Sequence, residues 1–260
     1  MGTRSTPWLL ALSTATAALT AATVIGATSP SDASGATRPL PERLSHIGYS
    51  RQVVVVTTGG WNTSYARLQT WRKTDAGRWV QVVDPVPARV GWNGVRRAEK
   101  RVQNSGTTPA GTFALLRGFG LANPKGVDLP YRKVDGNDWW PYDPTDPKTY
   151  NVLQTHRVKH AKWRTDWAER LGSYRKQYRY SVILDYNLPE QIRVRGGQRV
   201  ARETANTSAG GGIFLHVNGS GATAGCVSIA RKRMLNVLRW LDPQMDPVIV
   251  IGPRDVIGKM

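Results

Sequence analysis

The sequence predicts a single, mainly β domain with a few helices. Short apolar or alternating runs recur along the chain after residue 50, each bounded by Gly, Pro, Asn or Asp. Only two stretches carry helical periodicity. No internal repeat or low-complexity linker follows residue 40, and 260 residues with 40% hydrophobic content can build one large core.

The elements follow in order. Residues 52–57, QVVVVT, read as a buried strand. Residues 65–71 and 79–83 alternate apolar and polar side chains, with Asp75-Ala76-Gly77 between them as a turn. Residues 112–116, 180–185, 213–217, 226–229 and 248–251 are further strands. Residues 160–171 set Trp163, Trp167 and Leu171 at i, i+4 and i+8, which predicts a helix ended by Gly172. Residues 231–241 set Met234, Leu238 and Leu241 on one stripe, a second helix stopped by Asp242-Pro243. Residues 120–160 are rich in Pro, Asp, Trp and Tyr but lack periodicity. A loop of that length with so many aromatics points to function rather than disorder.

The N-terminus reads as a targeting segment. Arg4 is followed by an uncharged stretch, 7–27, and then by small residues up to Ala36. This is the pattern of a secretory signal peptide, with cleavage between about 27 and 36. A retained anchor helix fits less well, because Thr and Ser dilute a stretch barely able to span ~30 Å of hydrocarbon. No other run approaches a membrane span, so no stable membrane span is expected.

Charge narrows the partners. The chain carries 36 Lys+Arg against 18 Asp+Glu, and removal of 1–33 takes away Arg4 and Asp32, leaving the net charge at +18. An exported protein so basic is suited to anionic cell-wall polymers. The basic residues are scattered and accompany no nucleic-acid-reading motif, so nucleic acid is not expected. His156 and His160 stand at i, i+4, but Arg157 and Lys159 lie between them and no acid does. A cationic surface is the better reading, and no metal is expected.

The chemistry concentrates in GGGIFLHVNGSGATAGCVSI, residues 210–229. A glycine-rich approach leads into a short apolar strand holding His216; a small-residue loop follows, then Gly225-Cys226 and another strand. One cysteine excludes an internal disulfide framework, and an unpaired thiol in an exported protein needs a reason. A thiol nucleophile needs a base, an open approach and N–H groups for the oxyanion. If the two strands pair, His216 comes within hydrogen-bond reach of Cys226. A buried structural cysteine is the competing reading.

These residues resemble the catalytic segment of YkuD-type L,D-transpeptidases, in the branch reading FLH…TAGCV. The matching positions are Phe214-Leu215-His216 and Thr223-Ala224-Gly225-Cys226-Val227. Further similarity lies in KRVQNSGTTPAGTF (100–113), in Trp139-Trp140 through Tyr150-Asn151, in Asp185-Tyr186-Asn187 and in residues 238–252. The likeness spans about residues 50–252.

The resemblance implies an L,D-transpeptidase-like β-sandwich that acts on peptidoglycan without cofactor or metal. Cys226 would attack the third-residue carbonyl of a tetrapeptide stem, expel the terminal D-Ala and pass the thioester to an amine. Water as acceptor makes the enzyme an L,D-carboxypeptidase; a non-catalytic wall-binding protein is the alternative of another class. His216 is the implied base, the Val217 carbonyl orients its ring, and the Gly225 and Cys226 N–H groups are oxyanion candidates. Asn187, Tyr186, Thr223 and Ser228 are expected on the substrate side. Trp139, Trp140 and Tyr142 either stack on sugars, cover the stem or pack in the core. Departures from the common pattern are a shorter His–Cys loop, Thr223-Ala224 in place of Ser-His, and Ser228 in place of an Arg. The expected organisation is a signal peptide at 1–33, a lead at 34–48, a catalytic domain at 49–253 and a tail at 254–260, secreted to the cell wall as a monomer.

Overall fold

The computed structural model describes residues 38–260; the expected signal peptide lies outside the described residues. The strands are β1 (Gln52–Thr58), β2 (Tyr65–Lys73), β3 (Trp79–Arg89), β4 (Val95–Arg97), β5 (Thr108–Gly120), β6 (Tyr131–Lys133) and β7 (Trp139–Pro141). They continue as β8 (Ala168–Arg170), β9 (Ser181–Leu184), β10 (Arg193–Arg195), β11 (Gln198–Val200), β12 (Phe214–Val217), β13 (Val227–Ile229) and β14 (Val248–Pro253). The α-helix among the described residues is α1 (Arg231–Trp240). The mainly β, single-domain expectation holds.

The principal sheet runs β14-β1-β2-β3-β13-β12-β9-β5, and a further pairing of β14 with β5 closes it on itself. β1 lies between a parallel β14 and an antiparallel β2. Its Val53, Val54, Val55 and Val56 are all fully buried, as the unbroken β-branched run requires. β2 and β3 form a hairpin whose turn uses Gly77 at φ 77, and the N–H of Gly77 donates to Thr74 O at 2.9 Å. β2 keeps the expected alternation, burying Ala66, Leu68 and Thr70.

β12 and β13 pair in parallel, with Leu215 opposite Val227 and His216 opposite Ser228. Side chains alternate across a sheet, so this register sorts them into two sets. Leu215, Val217, Val227 and Ile229 enter the main apolar core. Phe214 and Cys226 enter a second cluster with Phe119, Trp140, Leu171 and Tyr178. The connection is residues 218–226, nine residues without a helix, shorter than the dozen or more that parallel neighbours ordinarily need. α1 packs against β9 and β12, and its Met234, Val237 and Leu238 join the core that holds Leu215 and Val217. Asp242 ends the helix region, accepting the Gln244 N–H at 2.8 Å.

The expected helix at 160–171 does not form. A 3₁₀ turn at Thr165–Trp167, strand β8 and a 3₁₀ turn at Leu171–Ser173 stand in its place. Two competitors take its hydrogen bonds. The buried Asp143 carboxylate accepts from the Arg164 backbone N–H (2.8 Å) and from its guanidinium (2.9 and 3.1 Å). β8 then pairs with β7, Trp140 opposite Glu169. The Trp spacing reflects one tryptophan buried in the loop, Trp163, and one half-exposed, Trp167.

The flanks pack on the domain. Leu44 of the lead and Ile257 and Met260 of the tail belong to the main core. The Met260 carbonyl accepts from Thr112 Oγ1 at 3.0 Å. No helix among the described residues is long and apolar enough to cross a membrane.

Candidate active site

Cys226 stands one residue before β13, at the floor where two hollows meet. The larger, about 340 Å³, is lined by Trp92, Arg101, Gln103, Tyr142 and the Gly210–Gly212 segment. The smaller, about 210 Å³, is lined by His216, Tyr174, Gln177, Tyr178 and residues 219–224. Cys226 and Glu169 line both. His216 and Cys226 lie on one face of adjacent strands, as the parallel register dictates.

The thiol is 8% exposed. Its Sγ donates to Gly212 O at 3.2 Å and accepts from the Phe214 N–H at 3.4 Å. It is therefore hydrogen-bonded to the glycine-rich approach rather than to His216. Burial pushes the thiol pKa up to about 12, the nearby Glu169 carboxylate pushes the same way, and the Phe214 N–H and Arg101 pull it back. His216 Nδ1 lies 2.9 Å from the Val217 carbonyl, which fixes the ring with Nδ1–H donating and leaves Nε2 to accept. Burial lowers His216 to about 4, with the Val217 bond opposing. Thiol and imidazole thus rest as a neutral pair.

The loop before the cysteine is tied on both sides. Thr223 N donates to Val90 O (3.0 Å), and Trp92 N donates to Thr223 O (2.9 Å). The Thr223 hydroxyl donates to Cys226 O at 2.6 Å, and Thr108 Oγ1 donates to the same carbonyl at 3.2 Å. Gly225 adopts φ 154, and a Cβ there would sit 2.9 Å from Arg101 Nη2 and 3.1 Å from Thr107 O. The Gly225 N–H donates to Thr223 Oγ1 at 3.2 Å, so this oxyanion candidate is engaged within the loop.

Most of the expected substrate-side residues stand behind the cleft wall rather than in it. Trp140 is 3% exposed, stacks against Phe119, meets Phe214 edge-on, and donates from Nε1 to Asn151 Oδ1 at 2.8 Å. Asn151 Oδ1 also accepts the Gly212 N–H at 2.8 Å, and Gly212 O is the thiol's acceptor. Trp139 packs on Trp163. Asn187, at φ 50, donates to Asn206 O (2.8 Å) and Gly210 O (2.7 Å). The Tyr186 hydroxyl donates to Ala209 O at 2.9 Å. Together they hold the 206–212 wall. Ser228 is fully buried opposite His216 and Arg89, and its Oγ has no hydrogen-bond partner among the described residues. Of this group, Thr223 alone lines one of the two hollows at Cys226.

Sequence reasoning missed Glu169 and its neighbour Tyr178. Glu169 accepts a hydrogen bond from the Tyr178 hydroxyl, and the Tyr178 ring meets His216 edge-on at 5.6 Å. Burial raises the Glu169 carboxyl to about 7, with the Tyr178 hydroxyl opposing. One signal was available: in the basic stretch 160–179, Asp166 and Glu169 are the acidic residues.

Comparison with known proteins agrees with this architecture. The family model described as the L,D-transpeptidase catalytic domain, YkuD, matches residues 50–250. The chain belongs to that family, and L,D-transpeptidase activity on peptidoglycan is the activity the family carries. No curated protein and no solved structure matches the chain significantly.

Proposed function

We propose that this chain is an exported cysteine L,D-transpeptidase that forms peptidoglycan cross-links through a thioester on Cys226. The observation that carries this reading is the shared floor: a lone thiol and an imidazole on one face of paired strands, open to a hollow on either side.

The chemistry runs through neutral partners. The Cys226 thiol turns from Gly212 O, gives its proton to His216 Nε2, and attacks the third-residue carbonyl of a tetrapeptide stem. The tetrahedral oxyanion draws on loop N–H groups, with Gly225 N–H exchanging Thr223 Oγ1 for the oxyanion. As the C–N bond breaks, the imidazolium protonates the leaving nitrogen and D-Ala departs. A neighbouring stem's amine then attacks the thioester, yields its proton to His216, and the C–S bond breaks to regenerate the thiol. A high resting thiol pKa suits a nucleophile that is unmasked only when substrate displaces water and aligns the base. With water as the second nucleophile, the same intermediate gives an L,D-carboxypeptidase.

The uncharged segment 7–27 supports export, and the +18 charge supports retention on anionic wall polymers. The direct test is incubation of the purified chain with tetrapeptide stems. The expected result is a thioester mass increment on wild type and none on Cys226→Ala or Cys226→Ser. Cross-linking at wild-type rates by either variant would refute the assignment.

A further inference from the structure

Arg101 is a buried cation without an acidic partner. It is 6% exposed, and none of the three ion pairs among the described residues includes it. Two of its nitrogens are committed to carbonyls: Nε donates to Thr107 O at 2.7 Å and Nη1 to Ala209 O at 2.6 Å. The guanidinium also lies 5.5 Å from the Tyr186 ring. Nη2 has no such carbonyl partner among the described residues, and the guanidinium lies beside the Tyr186 hydroxyl. It sits against Gly225, where a Cβ would come within 2.9 Å of it, while a Cβ at Gly210 would come within 2.1 Å of Nη1. The two glycines leave the space the guanidinium fills, and Arg101 lines the larger hollow with Cys226.

A buried charge lacking a counter-charge is costly unless an anion completes it. The site has a definite chemistry: a guanidinium edge held by two carbonyls, in the hollow that Cys226 also lines, suited to a carboxylate. The donor stem carries a carboxylate on the residue that leaves, a few bonds from the carbonyl Cys226 attacks. We propose that Arg101 is the binding site for the C-terminal carboxylate of the donor stem, a proposal that rests on the thioester reading above. The guanidinium holds the leaving D-residue in the larger hollow and sets the carbonyl over Sγ. A stem longer by one residue carries its carboxylate ~3.5 Å further along the chain, beyond Nη2. That placement matches the tetrapeptide donor of the proposed function.

Affinity is measured by calorimetry on the full chain carrying Cys226→Ala, which cannot turn over. Three stems are compared: the C-terminal acid, its C-terminal carboxamide, and a stem amidated only at its internal carboxylate. The acid is expected to bind about 10- to 100-fold more tightly than the C-terminal carboxamide, as loss of a charge-assisted bond predicts. Internal amidation is expected to change little. Adding Arg101→Met should abolish the acid's advantage and Arg101→Lys should keep part of it. If the arginine variants fail to fold, the comparison of stems on the Cys226→Ala chain still decides. Equal affinity for acid and C-terminal carboxamide overturns the proposal, as does a preference set by the internal carboxylate. Thioester formation by wild type is followed separately by intact mass. Preference for the acid without a thioester would leave the carboxylate site standing and remove the thioester reading.

Discussion

Between about pH 4 and 7 the two sides of the cysteine contribute to stability with opposite signs. Burial lifts Glu169 from its ordinary 4.5 to about 7. The folded chain therefore holds that proton more tightly than the unfolded chain. The associated stability is complete below 4.5 and is lost as pH rises through about 7. Burial lowers His216 from 6.5 to about 4. Here the unfolded chain holds the proton more tightly, so stability is complete above 6.5 and is lost as pH falls through about 4. At ~1.4 kcal/mol per pH unit, each displacement corresponds to about 3 kcal/mol. These two contributions nearly cancel in the wild type. Glu169→Gln removes the falling component, so the variant should gain about 3 kcal/mol of stability between pH 4 and 6.5. His216→Asn removes the rising component and should lose a similar amount between pH 4.5 and 7. Urea denaturation at half-unit pH steps measures this, each variant being read as its difference from wild type. Contributions shared by all three chains, such as the raised Asp185 and the lowered Asp143, drop out of that difference. Three parallel profiles would show that neither group is buried as described.

Two further outcomes follow from single contacts. Gly225→Ala places a Cβ against Arg101 Nη2 and Thr107 O at a positive φ. It should cost about 1–3 kcal/mol and slow thioester formation more than tenfold, read by urea midpoint and intact-mass kinetics. Asp143 is fully buried; burial pushes its carboxyl up, but Arg164 and Thr145 outweigh that and hold it below the usual carboxylate range. Asp143→Asn should cost about 2–4 kcal/mol at pH 7. That difference should shrink at pH 3, where the unfolded chain protonates Asp143 while the folded carboxylate stays ionised, and urea midpoints at pH 7 and 3 test it.

The strands were legible because their pattern is local. The valine run of β1 and the alternation of β2 need no knowledge of partners. α1 was legible because Met234, Leu238 and Leu241 share a stripe that really is buried. Cys226 and His216, the proposed nucleophile and base, stood out because Cys and His are rare in this chain and flank one small-residue loop. What stayed hidden depends on distant partners. Residues 160–171 have helical spacing, but Asp143, some twenty residues upstream, captures Arg164 and redirects the backbone. Glu169 reaches the cleft through the pairing of β8 with β7, which no short-range pattern announces. Trp140, Tyr186 and Asn187 were expected on the substrate side, but the structure places them behind the wall, where their hydrogen bonds brace residues 206–212 directly or through Asn151.

The nine-residue step from β12 to β13 has little slack, and its middle is clamped to the segment after β3. Trp92, 54% exposed on the rim, shares a backbone hydrogen bond with Thr223, whose hydroxyl grips the cysteine carbonyl. Such a linkage behaves as a lever with a short arm. Two hydrogen bonds thus join the main chain at the exposed rim to the Cys226 carbonyl, so a shift of the rim and a shift of the cysteine backbone are coupled.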